Sequence, residues 1–283
     1  MQVFEQVNDL RKQVASWKKA GHTVGFVPTM GNLHQGHLSL VKIAQQACDK
    51  VIVSIFVNPM QFGPNEDFDS YPRTFKEDQA KLASLQTDAV FYPTVKAMYP
   101  NGINQTKVQV PEALTGLLEG ANRPGHFDGV TTVVAKLFNM VQPDKAIFGQ
   151  KDFQQLSVIQ TMVEELALPI DIISAPIGRD VDGLALSSRN QYLTVEQRKI
   201  APKLFTTLQD IVKAIQSGNK NFLALSSSAK QNLIMEGFDG VDYIEVCNPM
   251  TLLPAKNDDK NMVILAVARL GKTRLLDNIL LLN

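Results

Sequence analysis

Short apolar segments rich in β-branched residues recur through the first 177 residues of the chain. Their apolar character is nearly continuous rather than alternating, which is typical of strands buried on both faces of a parallel sheet. Segments with apolar residues at helical spacing lie between them, so the pattern predicts a doubly wound α/β domain. The predicted strands are 23–29, 51–57, 89–92, 145–148 and 170–174, and the predicted helices are 38–48, 75–85, 129–141 and 153–166.

The pattern changes after residue 177, where a turn-rich segment leads to Thr194. Gln197 follows Thr194 by three residues, which is the signature of a capping box and predicts a helix from there to about residue 215. A second helix is predicted over 222–235, and strands over 241–246, 262–270 and 273–281 predict a small antiparallel sheet. We therefore expect two domains, 1–177 and 178–283, the second a smaller α+β domain.

Composition and charge exclude several classes of protein. The 283 residues are 45% hydrophobic, which is enough to bury a sizeable core and excludes a disordered chain. Lysine and arginine total 28 and so do aspartate and glutamate, a balance that argues against nucleic acid as a partner. No apolar run approaches the ~20 residues of a membrane span, and residues 1–20 are amphipathic rather than a signal peptide, so a cytoplasmic location is expected. Cys48 and Cys247 match no metal motif and are expected to be buried.

Residues 266–273 (AVARLGKT) fit a loosened phosphate-loop pattern. A phosphate loop needs a helix after it, because the amides of the helix N-terminus hold the phosphates. The ten residues after Thr273 favour a strand, so we interpret Gly271 as part of a hairpin turn instead.

The first predicted strand ends at Pro28-Thr29-Met30-Gly31, and a helical pattern begins just after His34-Gln35-Gly36-His37. A helix N-terminus presents main-chain N–H groups and partial positive charge to an anion, and Gly36 allows a ligand close to the backbone. Two imidazoles three residues apart can donate to phosphate oxygens and stabilise charge in a transition state. The alternative is that His34 and His37 are ordinary surface or core residues.

Polar residues follow the second predicted strand and a later loop. The amides of Asn58 and Gln61 suit hydroxyl and carboxylate groups, although Asn-Pro also marks an ordinary turn. Residues 123–130 (RPGHFDGV) are predicted to form a shaped loop rather than regular structure. In that loop Arg123 and His126 reach a polar ligand or merely close the loop, and Asp128 caps the following helix.

Two further segments carry candidate chemistry. The strand predicted over 145–148 is followed by Gly149-Gln150-Lys151-Asp152, where Lys151 supplies a point charge for phosphate and Gln155 points back to the crevice. Residues 182–190 (DGLALSSRN) place two hydroxyls and Arg189 at the domain junction, which predicts a mobile anion-binding lid or a polar linker.

Six segments together resemble the pantothenate synthetase (pantoate–β-alanine ligase) family: PTMGNLHQGH, FVNPMQF, YPRT, RPGHFDGV, FGQKDFQQ and DGLALSSRN. They cover nearly the whole chain in the family's order, whereas the His-x-Gly-His motif alone would indicate only the wider nucleotidyltransferase superfamily. The resemblance implies a Rossmann-like domain, a C-terminal domain that closes over ATP, and a homodimer. It also implies that ATP with Mg²⁺ and (R)-pantoate form an enzyme-bound pantoyl adenylate, which β-alanine converts to pantothenate.

The resemblance also implies roles for individual residues. The catalytic residues would be His37, His34 and Lys151, and Asp152 would bind the ribose of ATP. Gln61 and Gln155 hold pantoate, and Asn58 and Pro28 are added as substrate-binding candidates. ATP binding is expected at Met30, Gly31, His34, Gly36, His37, Gly149, Gln150, Lys151, Asp152, Gly178, Leu186, Ser187, Ser188 and Arg189. Gly178 departs from the small apolar side chain that is common at that position of the family.

Two alternatives remain open from the sequence. One is another His-x-Gly-His nucleotidyltransferase, which transfers a nucleotide without an amine acceptor. The other is a non-catalytic nucleotide-binding module, which the second pocket implied by Gln61 and Gln155 disfavours.

Overall fold

The computed structural model describes residues 1–64 and 66–282. The chain divides into two compact units, one formed by 1–150 with 154–176 and the other by 151–153 with 177–283.

A six-stranded parallel sheet forms the centre of the first unit, in the order β1-β4-β3-β2-β5-β6. Its strands are β1 Gln2–Phe4, β2 Val24–Thr29, β3 Lys50–Ile55, β4 Ala89–Phe91, β5 Lys145–Gly149 and β6 Asp171–Ala175. The helices are α1 Val7–Lys19, α2 Gln35–Ala47, α3 Phe75–Ser84, α4 Val95–Met98, α5 Glu112–Thr115, α6 Leu118–Asn122, α7 His126–Val141 and α8 Phe153–Glu165.

The strand order reverses direction between β2 and β5, and ligands of doubly wound folds bind beyond the carboxyl ends of strands at such a point. The ladder between β2 and β5 joins Gly25 to Lys145 and Phe26 to Ala146. Each strand then continues for three residues toward its carboxyl end. Pro28 lies in that part of β2, where its lack of an N–H group removes one ladder donor.

Side chains of the central strands alternate between two apolar clusters, because successive residues of a strand point to opposite faces. Phe26 and Ile52 belong to one cluster, and their neighbours Val27 and Val53 belong to the other. All four are fully buried, so the continuous apolar runs of the sequence correspond to strands covered on both faces.

The five strands predicted for this region are confirmed with small differences at their ends. The sequence did not predict β1, which lies inside the segment that we interpreted as amphipathic and pairs in parallel with β4. A three-residue strand is too short to show a periodicity of its own, and α1 begins only three residues later.

The second unit packs α9 Val195–Ile200, α10 Lys203–Gln216 and α11 Phe222–Met235 with a three-stranded antiparallel sheet. Its strands are β7 Gly240–Cys247, β8 Met262–Leu270 and β9 Thr273–Leu281, in that spatial order. The predicted continuous helix to residue 215 is wrong, because Pro202 lacks an N–H group and its ring blocks the preceding turn. The capping box is confirmed: Gln197 N donates to Thr194 Oγ1 at 3.2 Å and Thr194 N donates to Gln197 Oε1 at 3.0 Å.

The fold class predicted from the sequence, a parallel α/β sheet with a smaller α+β part, is confirmed. Gly271 and Lys272 connect β8 to β9 directly, so the phosphate-loop pattern is a hairpin turn. Both cysteines are buried, and burial raises the pKa of the Cys247 thiol to about 12. None of the helices in the described part of the chain is long and apolar enough to cross a membrane.

Candidate active site

The two histidines of the His-x-Gly-His motif cap the helix that they begin. His34 is the N-cap residue of α2, and its Nδ1 atom accepts a hydrogen bond from Gly36 N at 3.1 Å. The Nδ1 atom of His37 accepts from His34 N at 3.3 Å, and the two ring centroids are 4.1 Å apart. The pair satisfies main-chain donors of the first turn as a Ser/Thr and Glu capping box does.

These bonds determine the tautomer of both rings, because a nitrogen that accepts a hydrogen bond does not carry a proton. In the neutral form, each imidazole therefore has its proton on Nε2. His34 and His37 can then offer Nε2–H groups to an anion while their Nδ1 atoms hold the helix terminus.

Asp78 on α3 holds the loop between β2 and the motif. This fully buried carboxylate accepts hydrogen bonds from Asn32 N at 2.8 Å and Leu33 N at 2.7 Å. Lys81, one turn further along α3, donates to the carbonyl of Leu33 at 2.7 Å. Gly31 has a φ of +85°, which favours glycine, so the loop combines a left-handed residue with a fixed carboxylate partner.

Asp78 was not among the residues predicted from the sequence. The available signal was its position, since an acidic residue lies on the helical stripe that includes Phe75 and Leu82. A buried charge on an apolar stripe needs strong partners, and here those partners are main-chain N–H groups 45 and 46 residues away.

The turn after β3 places Gln61 beside the loop that follows β2. Pro59–Gln61 form a single 3₁₀ turn, and Gln61 Nε2 lies 3.1 Å from Met30 Sδ. Asn58, predicted to bind substrate, is only 1% exposed, and its side chain contacts protein groups. The structure therefore brings Gln61 together with Met30 and turns Asn58 inward.

Arg123 and His126 close the loop around Gln61. Arg123 forms a two-point ion pair with Glu66, through Nε at 2.7 Å and Nη2 at 2.5 Å, and its Nη1 lies 3.0 Å from His126 Nε2. His126 Nδ1 lies 2.8 Å from the carbonyl of Gln61. Since guanidinium only donates, Nε2 of His126 is the acceptor and Nδ1–H is the donor to Gln61.

The shaped loop predicted over 123–130 is wrong from His126 onward. Helix α7 begins at His126, with Gly125 as its N-cap at a φ of +80°. Asp128 therefore lies inside the helix rather than capping it. Gly129 faces the 3₁₀ turn so closely that a Cβ atom there would lie 2.7 Å from Gln61 Cα, which leaves room only for glycine.

The segment after β5 forms a second 3₁₀ turn, Gln150–Asp152, directly after Gly149. Lys151 Nζ lies 3.9 Å from the Asp152 carboxylate, and the Lys151 side chain is 19% exposed. Gln154 is buried and bonds the main chain of 114–119, whereas Gln155 is half-buried. The amide of Gln154 thus has a structural role, which leaves Gln155 as the candidate for substrate.

In the second unit, the segment 182–190, predicted to be a lid or a polar linker, divides between a short hairpin and a 3₁₀ turn. Leu186 N donates to Gly178 O at 2.9 Å, and Ser187 caps the 3₁₀ turn Ser188–Tyr192 that contains Arg189. Arg179 forms a two-point ion pair with Asp277 on β9, at 2.6 and 2.7 Å. Its guanidinium also lies 3.7 Å from the centroid of the Phe205 ring.

Asn278, next to Asp277, donates from Nδ2 to the carbonyl of Lys151 at 2.9 Å. Both residues of this dipeptide are buried. They therefore tie the turn at Lys151 and the hairpin that contains Arg179 to the same strand, β9, within the second unit.

The first unit places eight predicted residues at or just beyond the carboxyl ends of β2, β3 and β5: Pro28, Met30, Gly31, His34, Gly36, His37, Gln61 and Gly149. Among residues 1–64 and 66–282, no group of three or more His, Cys, Asp or Glu side chains is arranged to hold a metal ion.

A family profile described as Pantoate-beta-alanine ligase matches residues 2–280 of this chain. The chain belongs to the pantoate-β-alanine ligase family. A pantothenate synthetase of Hydrogenovibrio crunogenus is 63% identical to it over 280 residues, covering 99% of both chains. One from Alcanivorax borkumensis is 53% identical over 99% of this chain and 97% of its own length.

Solved structures of the pantoate-β-alanine ligase family share the fold. The pantothenate synthetase of Thermus thermophilus matches with a TM-score of 0.92 and 43% identity over 99% of both chains. The Francisella tularensis pantoate-β-alanine ligase complexed with βγ-ATP and β-alanine matches with a TM-score of 0.83 and 35% identity. It covers 99% of this chain and 97% of its own. The family membership implied by the six sequence segments is confirmed, and the chain is a ligase of this family.

Proposed function

We propose that the protein joins (R)-pantoate to β-alanine with ATP, through an enzyme-bound pantoyl adenylate, and releases AMP and pyrophosphate. The observation that carries the proposal is the pair of His34 and His37 at the N-terminus of α2, beside Gln61, in a chain that matches the ligase family over residues 2–280. The helix terminus suits a triphosphate, and the neighbouring amide suits a hydroxy acid.

A carboxylate becomes an acylating agent only when its oxygen carries a better leaving group. In the first step, a pantoate carboxylate oxygen attacks the α-phosphorus of ATP and pyrophosphate leaves. In the second step, the β-alanine amine attacks the acyl carbon, AMP leaves with the bonding electron pair, and the nitrogen loses a proton. Negative charge builds on phosphoryl oxygens in the first step, so donors fixed in advance lower its barrier.

The residue roles follow from this chemistry and the family resemblance. His34 and His37 donate Nε2–H to phosphate oxygens, Lys151 binds phosphate as a point charge, and Asp152 meets the ribose. Gln61 and Gln155 hold pantoate. The family resemblance also assigns ATP binding to main-chain groups near Met30, Gly31, Gly36, Gly149, Gln150 and Gly178, and to the segment 186–189.

Mg²⁺ accompanies ATP in this proposal. The fit follows from the donor set: a cation bound mainly by substrate phosphates needs only one or two carboxylates from the protein. Asp152 is a half-exposed carboxylate next to Lys151, which is consistent with such a shared role. When bound, the cation neutralises charge on the triphosphate.

A homodimer in the cytoplasm is the remaining part of the proposal. Sedimentation equilibrium of the purified protein tests the dimer: a mass near twice 31.3 kDa supports it, and a mass near 31.3 kDa contradicts it.

The reaction is tested by exchange of labelled pyrophosphate into ATP. We expect exchange only when pantoate is present, followed by AMP release when β-alanine is added. Exchange with a phosphorylated acceptor in place of pantoate would favour another nucleotidyltransferase, and ATP binding without any exchange would favour a non-catalytic module.

A further inference from the structure

Asn58 is buried, and both the oxygen and the nitrogen of its side-chain amide form hydrogen bonds. Oδ1 accepts from Tyr99 Oη at 2.6 Å and from Met60 N at 3.3 Å. Nδ2 donates to Gly129 O at 3.1 Å and to Gln61 Oε1 at 3.2 Å. Asn58 is 1% exposed and Tyr99 is 3% exposed, so these bonds form away from bulk water.

The orientation of the Asn58 amide follows from two main-chain partners with fixed roles. If the amide were flipped, Nδ2 would face the donor Met60 N and Oδ1 would face the acceptor Gly129 O. The orientation with Oδ1 toward Met60 N therefore holds, and it requires the Tyr99 hydroxyl to donate. It also requires Gln61 to turn its carbonyl oxygen toward Asn58.

This orientation decides which end of the Gln61 amide can meet a ligand. With Oε1 turned toward Asn58, Nε2 lies on the side of Met30, whose Sδ it contacts at 3.1 Å. An NH₂ group carries two donors, so Gln61 presents a donor rather than an acceptor. The carboxylate and hydroxyl oxygens of a hydroxy acid are the matching groups.

Tyr99 is suited to a fixed donor role. Its ring packs 6.1 Å from that of Phe56, and Lys136 Nζ lies 5.2 Å from its centroid. Burial raises the pKa of the phenol above its ordinary value of 10, so the hydroxyl keeps its proton near neutral pH. The ring contacts do not depend on the hydroxyl, and removing that group alone leaves them in place.

We propose that Tyr99 is a positioning residue that acts through Asn58 to orient the Gln61 amide as a hydrogen-bond donor to the hydroxy-acid substrate. The proposal rests on the proposed function, in which Gln61 holds pantoate. Tyr99 itself does not touch the substrate in this proposal.

The test compares Tyr99→Phe with the wild-type protein in pantoate-dependent exchange. Loss of one of two donors to a buried oxygen loosens the Asn58 amide, so we expect the KM for pantoate to rise about 5- to 30-fold. The KM for ATP should change less than about twofold, since the His34–His37 turn is untouched. Tyr92→Phe is the matched control, because it also removes one tyrosine hydroxyl from the same unit. The Tyr92 ring stacks on that of Phe75 with the ring centroids 3.9 Å apart.

A double-mutant cycle with Gln61→Ala separates a positioning role from general damage. If Tyr99 acts through Gln61, Tyr99→Phe adds no further change in the Gln61→Ala background. Calorimetric titration of pantoate gives the same comparison where turnover is too slow. An equal rise in both KM values, no rise at all, or a full effect in the Gln61→Ala background would overturn the proposal. Wild-type protein that shows no pantoate-dependent exchange would instead contradict the proposed function itself.

Discussion

The Nδ1 atom of His37 accepts a hydrogen bond from the main-chain nitrogen of His34 at 3.3 Å, so the motif assigned to phosphate binding also closes its own helix. Structural and chemical roles thus use different nitrogens of one ring. Substitutions can separate them, because a glutamine at this position can reach back to the N-cap nitrogen, as Gln197 does to Thr194.

We expect His37→Gln to keep the thermal stability of the protein and to lose about 10²-fold or more in the rate of adenylate formation. His37→Ala should show the same loss in the rate of adenylate formation. It should also lose the hydrogen bond that caps the helix, which lowers the free energy of unfolding by about 1 kcal/mol. Single-turnover pyrophosphate release and thermal unfolding measure the two effects. Adenylation by His37→Ala at a near-normal rate would contradict the proposed role of Nε2–H.

Lys151→Ala should reduce turnover by about 10²-fold or more, because a charged donor to the transition state is lost. Its main chain is held by Asn278, so the turn itself should persist. Lys19→Ala, at an exposed position on α1, is the control. Single-turnover pyrophosphate release reports the step, and equal rates for the two variants would contradict the assignment of Lys151.

Asp78→Asn should destabilise the protein by about 1–3 kcal/mol, because an NH₂ group replaces one of the two carboxylate oxygens and cannot accept from the main-chain N–H of Asn32 or Leu33 that this oxygen bonds. The KM for ATP should rise as well, since that carboxylate holds the loop before His34. Urea unfolding and exchange kinetics are the measurements. Glu77→Gln, the exposed neighbour on α3, should change neither value.

Asp277→Asn breaks the two-point ion pair with Arg179. The Asp277 side chain is only 2% exposed, so this pair is buried. Breaking a buried pair leaves one charge without compensation, and the expected cost is about 3–5 kcal/mol of unfolding free energy. Asp210→Asn, which removes a largely exposed ion pair with Lys213, is the control. Equal urea midpoints for the two variants would show that the buried ion pair contributes no more to the free energy of unfolding than the exposed one.

The pair of Glu66 with Arg123 predicts a pH dependence. Burial favours the neutral carboxyl, but the hydrogen bond and charge of Arg123 outweigh it, so the pKa of Glu66 lies below its ordinary value of 4.5. A lowered carboxyl pKa contributes stability that is fully present above pH 4.5 and is lost as the pH falls through the folded value.

Wild-type protein should therefore be more stable than Glu66→Gln at pH 7, and the difference should shrink below pH 4.5. Chemical unfolding of both proteins across this range gives the curve. A difference that stays constant with pH would mean that Arg123 does not lower the pKa of Glu66.

The central strands could be predicted from the sequence because they are buried on both faces. Such strands have consecutive apolar residues, as at 51–53. It also placed His34, His37, Gln61 and Lys151 at strand ends, although their roles stay predictions. Local patterns carry this information because strand and helix periods are short.

The supporting residues could not be predicted in the same way. Asp78 accepts a hydrogen bond from Leu33, 45 positions away in the sequence, and Tyr99 donates one to Asn58, 41 positions away. Asn278 meets Lys151 across 127 positions. Such contacts depend on the packed fold, so a single sequence shows the chemical groups but not their partners.

The edge strand β1 has a consequence for handling the protein. Its three residues cover one side of β4, whose residues Ala89–Phe91 are all apolar and fully buried. Deleting β1 would leave β4 with a row of open amide and carbonyl groups beside apolar side chains, which is a template for pairing with another chain. Trimming the first few residues therefore risks aggregation even though they lie outside the proposed active site.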